Sequence, residues 1–423
     1  MIARAMILLT GALLLLAGCG SARPTSPPEN LACNLAQYQV RDAYEHIHVF
    51  LAPAKKIEVN VLELSAGGEF GAYGAGFLKG WRSIGSGAKP IARDDIQIVT
   101  GVSTGALMAT YAFLATYDTS TTTGTTPGWD EQLEQFYLTL TDAQVYTTRS
   151  TLALLWANSL YDASGKQKFL QKYLTTDVIN RVANAPEERR LYVGFANLDS
   201  GEFLRIDMVA LAKGTFESTA RRDDCYRAVI DAATAQEIAF PPVFIDGHMM
   251  ADGGVRQHVF LVSPDQVQPN VDLSRLNLRS IALVHGNLEI TPMPDGVKNG
   301  VLTIAERSAS ILVDQSLKSS VRLSNALSHD PAVVVGPANA KKLPRFQTYY
   351  GAAAKAACTC DAATRPQCNP DDLFCHAFMQ CLATAGETEG AAAASTGKWL
   401  EIADLDLGSK PSCQLPAARM RFR

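Results

Sequence analysis

The sequence predicts an α/β fold with a mainly parallel central sheet and a cysteine-rich C-terminal extension. Residues 57–64 lead through a glycine-rich turn into a helix, and residues 96–99 lead through a serine-containing turn into another. This order is typical of parallel sheets, because each helix returns the chain to the same edge. Six cysteines between residues 358 and 413 indicate the extension.

The first half of the chain contains four further signals. The strand IEVNVLEL (57–64) alternates apolar and polar residues and becomes apolar toward its end. Residues 107–117 are apolar on all sides, which predicts a buried helix. Residues 129–185 have a mainly helical pattern, and Asp199–Gly201 separates two β-rich runs, as in a hairpin.

Predicted helices and strands also alternate in the second half of the chain. Residues 224–233 and 300–327 predict helices, and residues 278–286 predict a buried strand. The run AVVVG (332–336) predicts a last core strand. From residue 350 onward the chain is rich in alanine and cysteine, which predicts a partly helical segment held by disulfides.

The N-terminus resembles the signal peptide of a bacterial lipoprotein. Arg4 precedes an apolar stretch too short to span a membrane, and Leu16–Cys19 resembles a lipobox. This resemblance implies that residues 1–18 are removed and that Cys19 carries lipid such as palmitate, with residues 19–55 as a tether. Gly20 follows instead of aspartate, which favours the outer membrane. The alternative is an ordinary secretory signal.

Composition excludes some classes of function. Hydrophobic residues make up 47% of the chain and charged residues 19%, so it can build a large core. The formal net charge is −4. The chain has no basic run, and we therefore expect no nucleic-acid partner.

The cysteines predict disulfides. Of nine cysteines, eight remain if Cys19 is lipidated, an even number in an exported protein. Eight cysteines allow about 105 pairings, and the sequence does not choose among them. A zinc site that includes His376 is the alternative, but the spacings fit no zinc pattern well.

The first candidate catalytic motif is Gly101-Val-Ser103-Thr-Gly105. A serine hydroxyl is a poor nucleophile unless it has a neighbouring base and donors for the oxyanion. A sharp strand-to-helix turn exposes the serine and requires small neighbours, which the two glycines supply. The alternative is an ordinary serine between turn glycines.

The second motif, SAGGEFG (65–71), ends the preceding strand. Its exposed backbone N–H groups, those of Gly67 and Gly68 above all, can face the same point as Ser103. A phosphate cradle is the alternative, but Glu69 would repel a phosphate and the dinucleotide spacing is absent.

The third motif is MMADGGV (249–255). A partly desolvated carboxylate at Asp252 can act as the base, and Gly253 and Gly254 allow a tight turn beneath it. The alternative is a β-turn aspartate.

Together and in this order, the three motifs resemble the patatin-like phospholipase family. The resemblance covers about residues 57–262 and implies a three-layer α/β/α fold, here expected over residues 56–349, with residues 350–423 as the extension. It implies a dyad without histidine, in which Ser103 is the nucleophile and Asp252 the base. Gly67 and Gly68 would be oxyanion donors, supported by the motif glycines, which are Gly71, Gly101, Gly105, Gly253 and Gly254.

The sequence departs from the family pattern in two motifs. The family usually opens the glycine motif with Asp-Gly-Gly-Gly and has arginine or lysine before its last glycine. Here those positions hold Ser65, Ala66 and Phe70. Alanine keeps a backbone N–H, but the cation is missing. The family's asparagine is replaced by His258, and its following proline by Val259 or Phe260.

We therefore expect a membrane-anchored lipid acyl hydrolase whose dyad requires no metal or cofactor. Its substrate would be a phospholipid or related acyl ester, and Leu155, Trp156 and Phe169 could line an acyl groove or belong to the core. One alternative is an inactive envelope lipoprotein that binds lipid or a partner. The other is an α/β-hydrolase-type esterase with a triad histidine such as His285.

Overall fold

A computed structural model describes the chain over the following residues: 30–40, 57–82, 92–119, 127–149, 158–260, 276–286, 288, 296–297, 299–329, 346–349, 355, 358, 368 and 372–396. Several sequence expectations lie outside them, namely those on residues 1–29 with Cys19, on Leu155 and Trp156, and on the strand at 332–336. In the described part of the chain, no helix combines the length and apolar character needed to cross a membrane.

Within the described residues, eight strands form the central sheet, in the order β10-β9-β1-β2-β5-β8-β7, with β6 also paired to β5. The strands of this sheet and of a separate β3–β4 pair are β1 Ile57–Leu64, β2 Ile96–Val102, β3 Thr147–Thr148, β4 Tyr161–Asp162, β5 Arg190–Asn197, β6 Phe203–Asp207, β7 Val243–Ile245, β8 His248–Asp252, β9 Leu276–Leu283 and β10 Phe346–Tyr349. The pairs from β10 to β5 are parallel, whereas β6, β7 and β8 run antiparallel to their neighbours.

Helices flank this sheet. Within the described residues they are α1 Gly71–Arg82, α2 Thr104–Leu114, α3 Trp129–Leu138, α4 Asp142–Val145, α5 Ser164–Tyr173, α6 Thr176–Ala183, α7 Met208–Lys213, α8 Thr219–Ala233, α9 Val301–His329 and α10 His376–Thr396. The predicted α/β class with a mainly parallel sheet is confirmed. The carboxyl ends of β1 and β2 lie side by side, because Leu64 pairs with Gly101.

Most predicted elements of the described chain are present. The helix expected from residue 107 begins at Thr104, and Asp199–Gly201 does separate the antiparallel strands β5 and β6. The strand β10 was not predicted. Its four residues FQTY form neither a continuous apolar run nor a strict apolar–polar alternation.

Helix α10 of the extension packs directly on α1, one of the helices that flank the sheet. Helix α10 approaches α1 so closely that a side chain on Gly76 would overlap the carbonyl of Ala383, and one on Gly390 would overlap that of Phe77. Small residues on both helices permit this approach. Lys79 of α1 reinforces it with an ion pair to Glu387 at 3.1 Å.

Disulfides form as predicted within the cysteine-rich extension. Cys358 is bonded to Cys381, and Cys368 to Cys375. A third bond joins Cys33, near the first described residue, to Cys225 in α8. Among the described residues, no group of histidine, cysteine and acidic side chains could hold a metal ion.

Candidate active site

Ser103 lies at the turn between β2 and α2 in an unusual backbone conformation. Its φ of 54° and ψ of −123° are rare for a residue with a side chain, and its carbonyl accepts the N–H of Ala106 at 2.8 Å. Such strain persists only where the surroundings enforce it, and it is common at functional sites. The turn leaves the Ser103 side chain half-exposed at the N-terminus of α2.

The two glycines of the pentapeptide are sterically required. A side chain on Gly101 would overlap the carbonyl oxygen of Gly105, and one on Gly105 would overlap that of Leu64 at the end of β1. Backbone atoms cannot move aside as the end of a flexible side chain can. The turn that holds Ser103 is therefore packed against the end of the neighbouring strand.

Asp252 ends β8 and reaches the same place. Its side chain is buried and lies close enough to Ser103 for this residue to lower the pKa of the carboxyl. Its Oδ1 also accepts the N–H of Gly254 at 2.8 Å. A side chain on Gly253 would come within 2.8 Å of Val102, the residue before Ser103. The tight turn after Asp252 thus packs against the serine turn.

Burial raises the pKa of Asp252 to about 6. Hydrogen bonds from Ser103 and Gly254 oppose this rise, and so does the charge of Lys166. Lys166 is buried on α5 and pairs with Asp231 at 2.7 Å. A carboxyl with this pKa is ionised at neutral pH and remains basic enough to accept a proton.

A second carboxyl lies near Asp252. Burial, followed by the charge of Asp252, raises the pKa of Glu237 to about 8, so this side chain carries a proton at neutral pH. Its neighbour Ile238 has a φ of 71°, a strained value for a β-branched residue. Sequence reasoning identified neither residue, because Lys166 lies on the distant helix α5 and Glu237 lies in the turn that follows α8, outside the three motifs.

The glycine-rich loop after β1 forms the other side of the site. Gly68 has a φ of 57°, in the left-handed region that favours glycine. A side chain on Gly67 would come within 2.5 Å of both Gly286 and His285. Within the described residues, the N–H groups of Gly67 and Gly68 donate to no protein acceptor. They are available to a ligand.

Side chains join the glycine loop to the serine turn. Thr104, the residue after Ser103, donates its hydroxyl to the carbonyl of Gly68 at 2.9 Å. Tyr137 lies within 2.6 Å of the same hydroxyl and blocks any side chain at Gly71. The structure therefore brings all three sequence motifs to one place, at the carboxyl ends of β1 and β2.

The two candidate histidines have different surroundings. The Nδ1 atom of His285 lies 2.7 Å from the carbonyl oxygen of Ser65, and its ring packs against Gly74. Burial lowers the pKa of His285 to about 3 and that of His258 to about 4, so both rings stay neutral. The His258 carbonyl accepts the N–H of Ala66 at 3.0 Å, which connects the aspartate segment to the glycine loop.

Phe169, expected either in an acyl groove or in the core, belongs to the core. It is 7% exposed and packs between Phe136 and Tyr173, with ring centroids 4.7 and 4.6 Å away.

Comparison with known proteins identifies one family. Residues 62–262 match the family model described as patatin-like phospholipase. Curated protein sequences include no match. Among solved structures, the crystal structure of VipD from Legionella pneumophila is similar at 12% identity, covering 89% of this chain and 71% of that chain, with a TM-score of 0.32. We base no inference on a similarity this distant. The family match, by contrast, spans all three motifs.

Proposed function

Residues 62–262 of this chain belong to the patatin-like phospholipase family, and on this premise we propose that the protein is a serine acyl hydrolase of lipid esters. Ser103 is the nucleophile and Asp252 the general base. The observation that carries the proposal is the packing of the strained Ser103 turn against the turn that follows the buried Asp252 carboxyl.

The geometry supports a two-step reaction. Asp252 accepts the proton of Ser103 as the Ser103 Oγ attacks the acyl carbonyl carbon. The oxyanion that forms is stabilised by the N–H groups of Gly67 and Gly68 and by the N-terminus of α2. Asp252 then returns the proton to the departing alcohol and leaves an acyl ester on Ser103. In the second step Asp252 deprotonates water, which hydrolyses this ester.

Apolar surface near the dyad supports a lipid substrate. Val255, three residues after Asp252, is 47% exposed. Helix α9 packs beside it, with Ser316 donating to the carbonyl of Gly254, and further exposed apolar residues lie on this helix: Ile304, Ile311, Leu312, Val313 and Leu323. Exposed apolar groups of this kind suit acyl chains or a membrane surface.

Labelling with a fluorophosphonate tests the nucleophile directly, because this probe reacts only with an activated serine. We expect the wild-type protein to be labelled and Ser103→Ala to be unlabelled. Ser200→Ala removes an exposed turn serine and should label like wild type. A folded wild-type protein that resists the probe, beside an active serine hydrolase that reacts, would favour the inactive lipid-binding lipoprotein.

Hydrolysis should be lost as the pH falls through about 6, because Asp252 acts as a base only when ionised. The Lys166 charge holds the pKa of Asp252 down, so Lys166→Met should move the acidic limb of kcat/KM to higher pH. Lys168→Met changes an exposed lysine of the same helix and is the matched control. An acidic limb that stays in place in the Lys166 variant would contradict this role.

We also propose that Cys19 carries the lipid that anchors the protein to the outer membrane. Asn30, the first described residue, accepts the N–H of Gly247 in the β7–β8 turn at 2.8 Å. Ten residues lie between Cys19 and Asn30, so even a fully extended tether would keep this hairpin within about 40 Å of the bilayer.

Metabolic labelling tests the anchor. Wild-type protein should incorporate radioactive palmitate and sediment with outer membranes, and Cys19→Ser should do neither. Ser21→Ala keeps the cysteine and is the control. Palmitate in the Cys19→Ser protein would refute the assignment.

A further inference from the structure

A lysine of the cysteine-rich extension is buried beneath the glycine-rich loop. Lys355 is 3% exposed, and its ammonium donates to the carbonyls of Val284 and His285, both at 2.8 Å. These carbonyls follow strand β9 directly. Burying an ammonium is costly unless it is hydrogen-bonded and its charge is compensated. The specific surroundings of Lys355 therefore indicate a role for this residue.

Aromatic rings complete the surroundings of this ammonium. The Lys355 Nζ lies 5.9 Å from the ring centroid of Phe70 and 5.2 Å from that of Tyr73. Burial lowers the pKa of Lys355 well below its usual value, and the charge of Glu389 of α10, to which the Tyr73 hydroxyl donates, opposes this fall. Two carbonyls, two rings and one nearby carboxylate together form a site suited to a cation.

The residues that hold Lys355 are the ones that support the glycine loop. His285 and Gly286 form the wall against which Gly67 packs, with no room for a side chain between them. The N–H of Gly286 donates to the carbonyl of Ala66 at 3.0 Å. Phe70 closes the other end of the loop, so Lys355 reaches this end directly and the Gly67 end through His285, against which Gly67 packs.

The extension fixes Lys355 in turn. Cys358, three residues along the chain, is disulfide-bonded to Cys381 in α10. Phe378 of the same helix packs edge-on against Phe70, with ring centroids 5.6 Å apart. The extension therefore reaches the loop through two side chains, one cationic and one aromatic.

We infer that Lys355 is a positioning residue for the acyl hydrolase reaction, holding the Gly67–Gly68 segment where its N–H groups meet the oxyanion. This inference rests on the proposed function. Lys355 touches no reacting atom and acts through the carbonyls of Val284 and His285 and through Phe70. The cysteine-rich extension is then part of the apparatus that assembles the active site.

Lys355→Met tests the inference, because methionine fills similar space without donors or charge. We expect kcat for a p-nitrophenyl acyl ester to fall about 10–100-fold with KM within about twofold, since small displacements of transition-state donors cost rate rather than binding. Hydrogen exchange of the 65–71 peptide should become faster. Lys355→Gln keeps a hydrogen-bond donor, so its kcat should lie between those of the wild type and Lys355→Met. It provides the same test if the methionine variant does not fold.

Lys79→Met is the matched control. Lys79 also links α1 to α10, through Glu387, but does not contact the glycine loop. Its variant should keep wild-type kcat and wild-type exchange at residues 65–71. A Lys355 variant with kcat within twofold of wild type and unchanged exchange overturns the inference. A wild-type protein without hydrolysis would instead refute the proposed function, and the exchange measurement would still decide whether Lys355 orders the loop.

Discussion

Replacing Ser103 with alanine is expected to lower kcat for acyl ester hydrolysis by about 10⁴-fold or more. We expect no other hydroxyl to take its place, because Ser103 combines the strained strand-to-helix turn with a position beside the buried Asp252 carboxyl. Steady-state hydrolysis of p-nitrophenyl esters of several chain lengths measures the loss. Circular dichroism establishes that the variant is folded.

Asp252→Asn keeps the shape of the base but removes its ability to accept a proton. We expect a loss of about 10²–10⁴-fold, and the double variant should be no slower than Ser103→Ala alone, because the two residues act as one unit. Ser200→Ala and Asp224→Asn, both at exposed positions, are the matched controls. Multiplicative losses in the double variant, or more than one hundredth of wild-type activity in Ser103→Ala, would contradict the dyad.

Among the described disulfides, removal of Cys33–Cys225 should lower the free energy of unfolding most. The bond closes a sequence separation of 192 residues, for which the chain-entropy estimate is about 5 kcal/mol of unfolding free energy. Both cysteines are buried. Urea unfolding of Cys33→Ala/Cys225→Ala under non-reducing conditions measures the loss.

The control for this variant is Cys368→Ala/Cys375→Ala. That bond spans seven residues, so the same estimate gives only about 2.5 kcal/mol. Equal losses in the two double variants would show that loop length is not the source of the stability.

The Cys33–Cys225 bond also matters for the position of Asp252. The carboxylate of Asp246, in the β7–β8 turn, accepts the N–H groups of Cys33, Asn34 and Leu35 at 2.7–2.8 Å. This turn leads directly into the strand that ends at Asp252. We therefore expect the Cys33–Cys225 variant to lose activity at urea concentrations below those that unfold the whole protein.

Sequence reasoning identified the parts of the site that are written as contiguous motifs. The Ser103 turn, the glycine loop and the Asp252 turn each contain conspicuous glycines. A side chain on Gly67, Gly101 or Gly105 would overlap backbone atoms, and one on Gly253 would come within 2.8 Å of Val102. Because the carboxyl ends of parallel strands lie at the same edge of a sheet, the sequence predicts that the ends of β1 and β2 lie close together, and they do. The arrival of β8 antiparallel to β5 was not predictable, because the order of distant strands leaves no local pattern.

The residues that modify the site are absent from any motif. Lys166, Glu237 and Lys355 act through space, and nothing in their neighbours along the chain marks them. The sequence shows Phe70 where the family pattern has a cation, yet the Lys355 ammonium lies 5.9 Å from that ring, contributed from a segment 285 residues later. The pairing of Cys33 with Cys225 was likewise one of many that composition permits.

The close packing of α1 against α10 sets an order of events during biosynthesis. Helix α1 leaves the ribosome some 300 residues before the helix whose carbonyls fit against its glycines. Until α10 has been synthesised, the surface of α1 that packs against it has no partner helix. Contacts between segments so distant along the chain form slowly. The packing of α1 is therefore completed only after residues 376–396 have been synthesised.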